Sequence, residues 1–385
     1  MKKKNIILLL NAFWNNGRGM SGGDQMMIQI FKRVREEFAQ VYCITNIDGK
    51  KSIESDVKNI KFGLSLHFFD KLWLPFNYVL RTIYASSIVF KKNIDILYVG
   101  SDFFPDVIPA FLYKLLYPKT VWFQCIFHIY PDWRKRPGNK MRNFFAQYCQ
   151  KFSFMLCRRA DKIININYQI KDGLVRFGLN ADKFAVNTPG INVEYFQNLK
   201  IGENTKKYDA TFLARLNPSK GIFDLVDIWK KVVEKKPKVR LAIMGGGSSE
   251  INEKMKRKIA DAGLGENIEL LGFLENDESF SIIKRSRIFL FPSHEEGFGI
   301  AVAEAMACGV PVISWNLSVY QEIFENFSLQ LEENDVELFS LKVLEMLDNE
   351  NKRSEIAVEA SNFVKKYDWN AIALNHLRIL QENVE

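Results

Sequence analysis

Short apolar runs rich in branched residues alternate with amphipathic stretches of helical length, the pattern of parallel strands joined by helices. In the first half the runs predict strands at Asn5 to Leu10, Val41 to Thr45, Ile94 to Val99, Thr120 to Phe127 and Lys162 to Asn167. A polar segment from Asn198 to Lys207, with Gly202 and paired lysines, predicts a linker. A second series then predicts strands at Asp209 to Ala214, Val239 to Met244, Asn267 to Leu271, Arg287 to Phe291 and Pro311 to Trp315. Two doubly wound α/β sheets, one per half, are the simplest architecture. Ligands of such sheets collect at the carboxyl ends of the strands, so a crevice between two lobes is the expected site.

Two stretches invite a membrane reading and neither sustains it. The start, MKKKNIILLLNAFW, is basic and then apolar, but Asn11 interrupts the run and no small-residue cleavage site follows, so it predicts a buried first strand. The stretch Leu72 to Phe90 contains Pro75, Asn77 and Arg81, each costly in hydrocarbon, and predicts a buried or surface-lying helix. No spanning segment is expected.

Composition narrows the class. With 385 residues the chain exceeds one domain of ~150, and 47% hydrophobic with 25% charged residues excludes disorder and small disulfide scaffolds. Cys43, Cys125, Cys149, Cys157 and Cys308 form no C-x-x-C pair, which disfavours metal ribbons and fits a reducing, cytoplasmic compartment. The net charge of +8 conceals a split: residues 1–200 carry 30 Lys+Arg against 15 Asp+Glu, and residues 201–385 carry 23 against 30. The first lobe is therefore expected to face something anionic.

Several motifs carry candidate chemistry. In NNGRGMSGGD, Gly17, Gly19 and Gly22 have the G-x-G-x-x-G spacing of a dinucleotide fingerprint, with Asp48 as the matching ribose acid. Residues 11–16 separate the strand from Gly17, however, where the fingerprint needs a tight turn. Gly22 and Gly23 near some phosphate, or a plain flexible loop, are the alternatives.

The stretch FPSHEEGFGIAVAEAMACGVPVIS, residues 291–314, reads as strand end, loop, helix and next strand. Glu296 lies in the loop and Glu304 follows with seven residues between them. A carboxylate within Ala-Val-Ala-Glu-Ala-Met-Ala is expensive to bury unless it accepts hydrogen bonds, and ligand hydroxyls are natural donors. A surface glutamate, or one favoured by the helix dipole, is the other reading.

Arg215 and Lys220 follow a strand at the opening of a helix, where a diphosphate would need its charge neutralised; a solvated basic loop has the same composition. Gly245 to Gly247 end another strand and permit close backbone approach. There is no D-x-D pair, no G-x-x-x-x-G-K-[ST] loop and no H-E-x-x-H, so any diphosphate chemistry is expected to use Arg, Lys and backbone amides without a metal or other cofactor.

Taken in order, SGGD, HIYP, TPGINVEYF, ARLNPSKG, IMGGG, LLGFLENDE, FPSHEEGFG and EAMACGVPVIS resemble the retaining nucleotide-sugar glycosyltransferases of family 4, with their two-lobed GT-B fold. The resemblance spans nearly the whole chain and is strongest from about residue 185 to 325. It implies an acceptor-binding Rossmann-like domain over 1–197, rejoined by a final helix over 369–385, and a nucleotide-sugar-binding domain over 198–368. It implies further that Arg215 and Lys220 bind the donor diphosphate and that Glu304 takes the ribose hydroxyls. Glu296 and the backbone of Gly297, Phe298 and Gly299 would hold the sugar, Gly22, Gly23 and Gly245 would approach the donor, and the base would lie near Phe273 and Leu274. His128, in FHIYPDW, matches a histidine near the reacting sugar in some relatives; a satisfied core histidine is the alternative. TPGINVEYF has Asn192 where relatives often carry Asp.

The implied reaction is retaining glycosyl transfer from a nucleoside-diphosphate sugar. Between Lys114 and Arg159, Lys119, Trp122, Trp133, Arg134, Lys135, Arg136, Lys140, Arg142, Phe144, Phe145, Lys151 and Arg158 interleave cations and aromatics. That pattern suits an anionic bilayer, hence a lipid-linked saccharide acceptor at the inner membrane face, and no RNA-binding motif accompanies it. A generic solvated basic face has the same composition. A nicotinamide-dependent oxidoreductase using Gly17 to Gly22, and a non-catalytic partner of the same fold, are the competing classes.

Overall fold

The computed structural model describes residues 3–12, 22–64, 74–90, 94–134, 140–202 and 207–384. Seven strands form a first sheet: β1 (Asn5–Leu9), β2 (Gln40–Thr45), β3 (Ile60–Leu64), β4 (Ile96–Val99), β5 (Val121–Cys125), β6 (Lys162–Asn165) and β7 (Phe184–Val186). Six form a second: β8 (Ala210–Leu213), β9 (Leu241–Met244), β10 (Ile268–Gly272), β11 (Ile288–Phe291), β12 (Val312–Trp315) and β13 (Leu329–Leu331). The orders are β3-β2-β1-β4-β5-β6-β7 and β10-β9-β8-β11-β12-β13, and the pairings are parallel. Central strands such as β4, β9 and β11 are buried at every position, because helices cover both faces of a parallel sheet. This is the expected pair of doubly wound sheets.

The ten anticipated strands are present; β3, β7 and β13 are additional. All three are partly buried edge strands of three to five residues; IKFGL alternates but has no run of branched residues, and FAV and LQL are too short for a period to register.

The chain divides into two units, residues 1–189 with 369–385, and residues 190–368. The anticipated boundary at 197/198 therefore moves to 189/190. Residues near 198 are no free linker, because the helix Val193–Asn198 packs Phe196 on Phe280 with ring centroids 4.7 Å apart. Lys284 Nζ also donates to the carbonyls of Phe196, Gln197 and Leu199 at 2.9–3.0 Å.

The helix Trp369–Gln381 belongs to the first unit, where it packs on the helix Gly22–Val34. Its buried His376 accepts at Nδ1 from Asn187 Nδ2 (2.9 Å), and Asn375 Nδ2 donates to Asn187 Oδ1 (2.9 Å). Burial holds the imidazole neutral, with its pKa lowered to about 3.

The helix Leu74–Val89 has its polarity turned inside out. Asn77 and Arg81 are buried, and Arg81 Nη1 donates to the Asn11 carbonyl (2.6 Å) while Asn11 Nδ2 returns a bond to the Arg81 carbonyl (2.9 Å). Phe76, Val79 and Ile83, at helical spacing, are exposed instead. Among the described residues no helix is long and apolar enough to cross a membrane.

Replacing Asn187 by Ala strands the buried His376 Nδ1 and the Asn375 amide, and we expect a loss of about 1–3 kcal/mol in urea unfolding. A change near zero would show that this triad does not hold the final helix.

Candidate functional site

In the second unit β8 lies beside β11 at the point where strand order reverses, the place where doubly wound sheets bind ligands. After β8 the chain makes a 3₁₀ turn, Pro218–Lys220, capped by the Asn217 side chain, which accepts from Ser219 N at 2.9 Å. Gly221 follows at φ +68°, and a Cβ there would sit 1.8 Å from the Pro292 carbonyl oxygen just after β11. Only glycine permits that approach. It lets His294 N donate to the Ser219 carbonyl (2.9 Å), with Ser293 Oγ 3.1 Å from the same oxygen.

Lys220 and Glu296 thereby meet. Lys220 Nζ lies 2.7 Å from Glu296 Oε1 and donates to the Glu295 carbonyl (2.9 Å), while Ser293 Oγ stands 3.0 Å from the same carboxylate oxygen. Both ion-pair partners are largely covered. Arg215, on the same strand end, is exposed and has no hydrogen bond or ion pair with another described residue.

The glycine run is stitched to its neighbours. Gly245 at φ +133° donates from N to the Gly272 carbonyl (2.7 Å), and a Cβ there would fall 1.8 Å from the Ala214 carbonyl oxygen. Gly246 accepts from Leu216 N (2.9 Å). The loops after β8, β9 and β10 thus make one rim. Phe273, 76% exposed, stands on it near Gly246, with Leu274 beside it half-buried.

Gly299 at φ +92° caps the helix Ile300–Ala307, its α-carbon facing the Tyr320 ring. The Phe298 side chain packs inside the second unit. That ring is 3% exposed and packs against Tyr367 (5.2 Å) and Phe324 (5.8 Å), so only its backbone is free to face a ligand. Aromatic burial of Phe298 instead anchors the segment holding Gly297. Glu304 is partly covered among alanines, and desolvation pushes its carboxyl up to about 8.

In the first unit, Gly17 and Gly19 lie outside the described residues. Gly22 is exposed at the start of the helix Gly22–Val34, and a Cβ on Gly23 would come 2.7 Å from the Phe127 ring, so this helix start abuts the segment bearing His128. The His128 side chain is exposed, which removes the core-histidine alternative. Gln150, buried on the helix Lys140–Cys157, ties the segment down. Its Nε2 donates to the His128 carbonyl (2.9 Å) and to Asp102 Oδ2 (2.7 Å), and its Oε1 accepts from Tyr130 N (2.8 Å). Burial raises Asp102 to about 6, against the lowering effect of the Gln150 bond.

Sequence reasoning missed Ser293, His294, Gln150 and Asp102. Adjacency to Glu296 was the available signal for the first two. Nothing along the chain announces a glutamine 22 residues beyond His128. Among the described residues no group of three or more His, Cys, Asp or Glu is arranged to hold a metal ion.

Glu304 gives a test in the free protein. The folded state keeps a proton that an ordinary glutamate gives up near 4.5, so its contribution to stability falls as pH rises from about 4.5 and levels off above about 8. Glu304→Gln should therefore gain stability relative to the parent progressively across that window, as read by urea titrations at stepped pH. A difference that does not vary with pH would show Glu304 to be ionised and solvated.

Residues 196–363 match the family described as glycosyl transferases group 1. An uncharacterized glycosyltransferase of Methanocaldococcus jannaschii is 28% identical over 225 residues, 58% of this chain and 60% of that relative. The GDP-mannose-dependent monoacylated alpha-(1-6)-phosphatidylinositol monomannoside mannosyltransferase of Corynebacterium glutamicum is 29% identical over 177 residues, 44% of this chain and 45% of its own. The match thus spans about half the length of these curated relatives. The crystal structure of Anabaena HepE with UDP and glucose aligns with a TM-score of 0.74 at 15% identity, covering 98% of this chain and 100% of that one, which speaks to the fold. The segment matched to the group 1 glycosyl transferases encloses Lys220, Glu296 and Glu304, and the two parallel sheets share the fold of the solved neighbours.

Proposed function

We propose that the protein transfers a sugar from a nucleoside-diphosphate sugar to a saccharide acceptor, with retention at the anomeric carbon. The observation that carries this reading is the meeting of Lys220 with Glu296 at the switch point of the second sheet, within the matched segment. Arg215 and Lys220 neutralise charge on the departing diphosphate, work that needs no divalent metal when two cations and backbone amides supply it. Glu304 accepts from the ribose hydroxyls, losing its proton as they replace water. Glu296 and the backbone of Gly297 to Gly299 hold the sugar, and the base rests on the rim at Gly245, Phe273 and Leu274. The acceptor loses its proton to the leaving phosphate on the same face, which dispenses with a glycosidase-like carboxylate pair.

The acceptor is a lipid-linked saccharide, and the protein works on the inner face of the cytoplasmic membrane. Support comes from the first unit's surface. On the helix Lys140–Cys157, Met141, Phe145, Tyr148, Phe152 and Met155 recur at three- and four-residue steps and are exposed. Leu112, Leu115 and Leu116 are exposed on the neighbouring helix Phe104–Leu116, which packs in turn against the helix carrying Phe76, Val79 and Ile83. Lys119, Arg134, Lys140, Arg142 and Arg158 are exposed in the same region, and each cation near an anionic surface contributes ~1 kcal/mol. Trp122, grouped with these from sequence, is buried in β5 and takes no part; Lys135 and Arg136 lie outside the described residues. A relative that by name acts on a phosphatidylinositol monomannoside is consistent with such an acceptor.

Lys220→Ala should lower turnover of a nucleotide sugar about 10²- to 10³-fold in protein that remains folded, with some loss of melting temperature because Glu296 is left unpaired; equal turnover in the two proteins would remove the assignment. In flotation assays, vesicles containing phosphatidylserine should carry the protein upward in a salt-sensitive way, and the pair Phe145→Ser with Phe152→Ser should lessen it. Flotation indifferent to anionic lipid, salt and both substitutions would leave the acceptor side without support.

A further inference from the structure

His294 stands two residues before Glu296, and both of its ring nitrogens face carboxylates. Nε2 is 2.7 Å from Asp224 Oδ2, on the helix Ile222–Lys235, and Nδ1 is 2.6 Å from Glu333 Oε1, in the turn after β13. A neutral imidazole donates at one nitrogen only and would turn a lone pair toward the other carboxylate. Two such contacts require the imidazolium. The backbone N of the same residue donates to Ser219, immediately before Lys220. Asp224 is further fixed by Trp315 Nε1 at 3.3 Å.

We propose that His294 is a positioning residue which, as an imidazolium clamped between Asp224 and Glu333, keeps the Lys220 turn and the Glu296 segment in register. The inference rests on the reading of those two residues as the donor site. The charged groups facing the ring are Asp224 from the helix after Gly221 and Glu333 from the turn after β13. Along its own segment Glu295 and Glu296 follow, with Lys220 paired to Glu296. Burial disfavours the imidazolium, but the Glu333 and Asp224 contacts outweigh it and raise the ring above its ordinary 6.5. Deprotonation at higher pH replaces one charge-assisted hydrogen bond by lone-pair repulsion. The segment then relaxes, and Glu296 with it.

The chain has four histidines, so the ring signals are resolvable by NMR in the intact protein. The experiment follows the His294 resonance, assigned by His294→Gln, and in parallel measures UDP and GDP affinity by calorimetry from pH 6 to 9. His294 should titrate above 6.5, and affinity should fall roughly tenfold as it deprotonates. Ionisation of Glu304 near pH 8 drives affinity the other way, so the profile superposes a falling limb set by His294 on a rising limb set by Glu304. The limbs separate in Glu333→Gln, where Glu333 is half-exposed and its loss is tolerable to folding. Removing that carboxylate should lower the His294 midpoint and carry the falling limb down with it, leaving the rising limb in place. The proposal is overturned by a ring titrating at or below 6.5, by a falling limb that stays put when the ring midpoint moves, or by affinity without a falling limb. Absence of UDP and GDP binding at every pH would instead overturn the donor-site reading beneath it.

Discussion

The α-carbon of Gly221 lies so near the Pro292 carbonyl that no side chain fits between them, and the candidate site is built on that approach. β8 and β11 are neighbours across the switch point, so the segments leaving them start side by side. Gly221, in the left-handed region, turns the first segment into its helix at once while its backbone lies against the second. From this follow the Ser219–His294 backbone bond, the reach of Lys220 to Glu296 and the clamp on His294. A side chain at residue 221 would push the two strand ends apart and separate cation from acid.

The site's resting electrostatics are self-contained. Lys220 is held by Glu296 and the Glu295 carbonyl, and the imidazolium of His294 is matched by two carboxylates. Desolvation leaves Glu304 protonated through neutral pH. Arg215 alone in this group stands exposed with no described partner. In the proposed reaction an arriving diphosphate finds Arg215 ready and recruits Lys220 from its pair, so charge neutralisation requires side-chain rotation and no movement of the sheet. The pairing also satisfies two largely covered charges, where an isolated lysine or glutamate would be costly.

The first unit shows the converse use of polarity. Asn11, at the end of β1, is buried against Arg81, and the resulting hydrogen bonds reconcile two residues that look misplaced in apolar surroundings. Satisfying them inward turns Phe76, Val79 and Ile83 outward, on a helix that packs against the helix Phe104–Leu116. The helix Lys140–Cys157 has two faces with separate duties: one offers aromatic and basic groups to the outside, and the other sends Gln150 inward to fix the segment of His128.

What the chain alone determined is the alternation of elements, and it marked candidate residues at two strand ends. Central parallel strands are buried on both faces, so they appear as unbroken apolar runs, and the edge strands β3, β7 and β13, short and half-covered, leave no such trace. A carboxylate among alanines and cations at a strand end drew attention to Glu304, Arg215 and Lys220, and the resemblance added Glu296; the structure brings Lys220 and Glu296 together. Tertiary structure alone decided the rest. It turned Phe298 inward and His128 outward, absorbed residues 190–202 into the second unit, and set His294 between acids 70 and 39 residues away. Partners that distant are chosen by strand order and loop contact, and neither periodicity nor spacing along a sequence encodes which loops will touch.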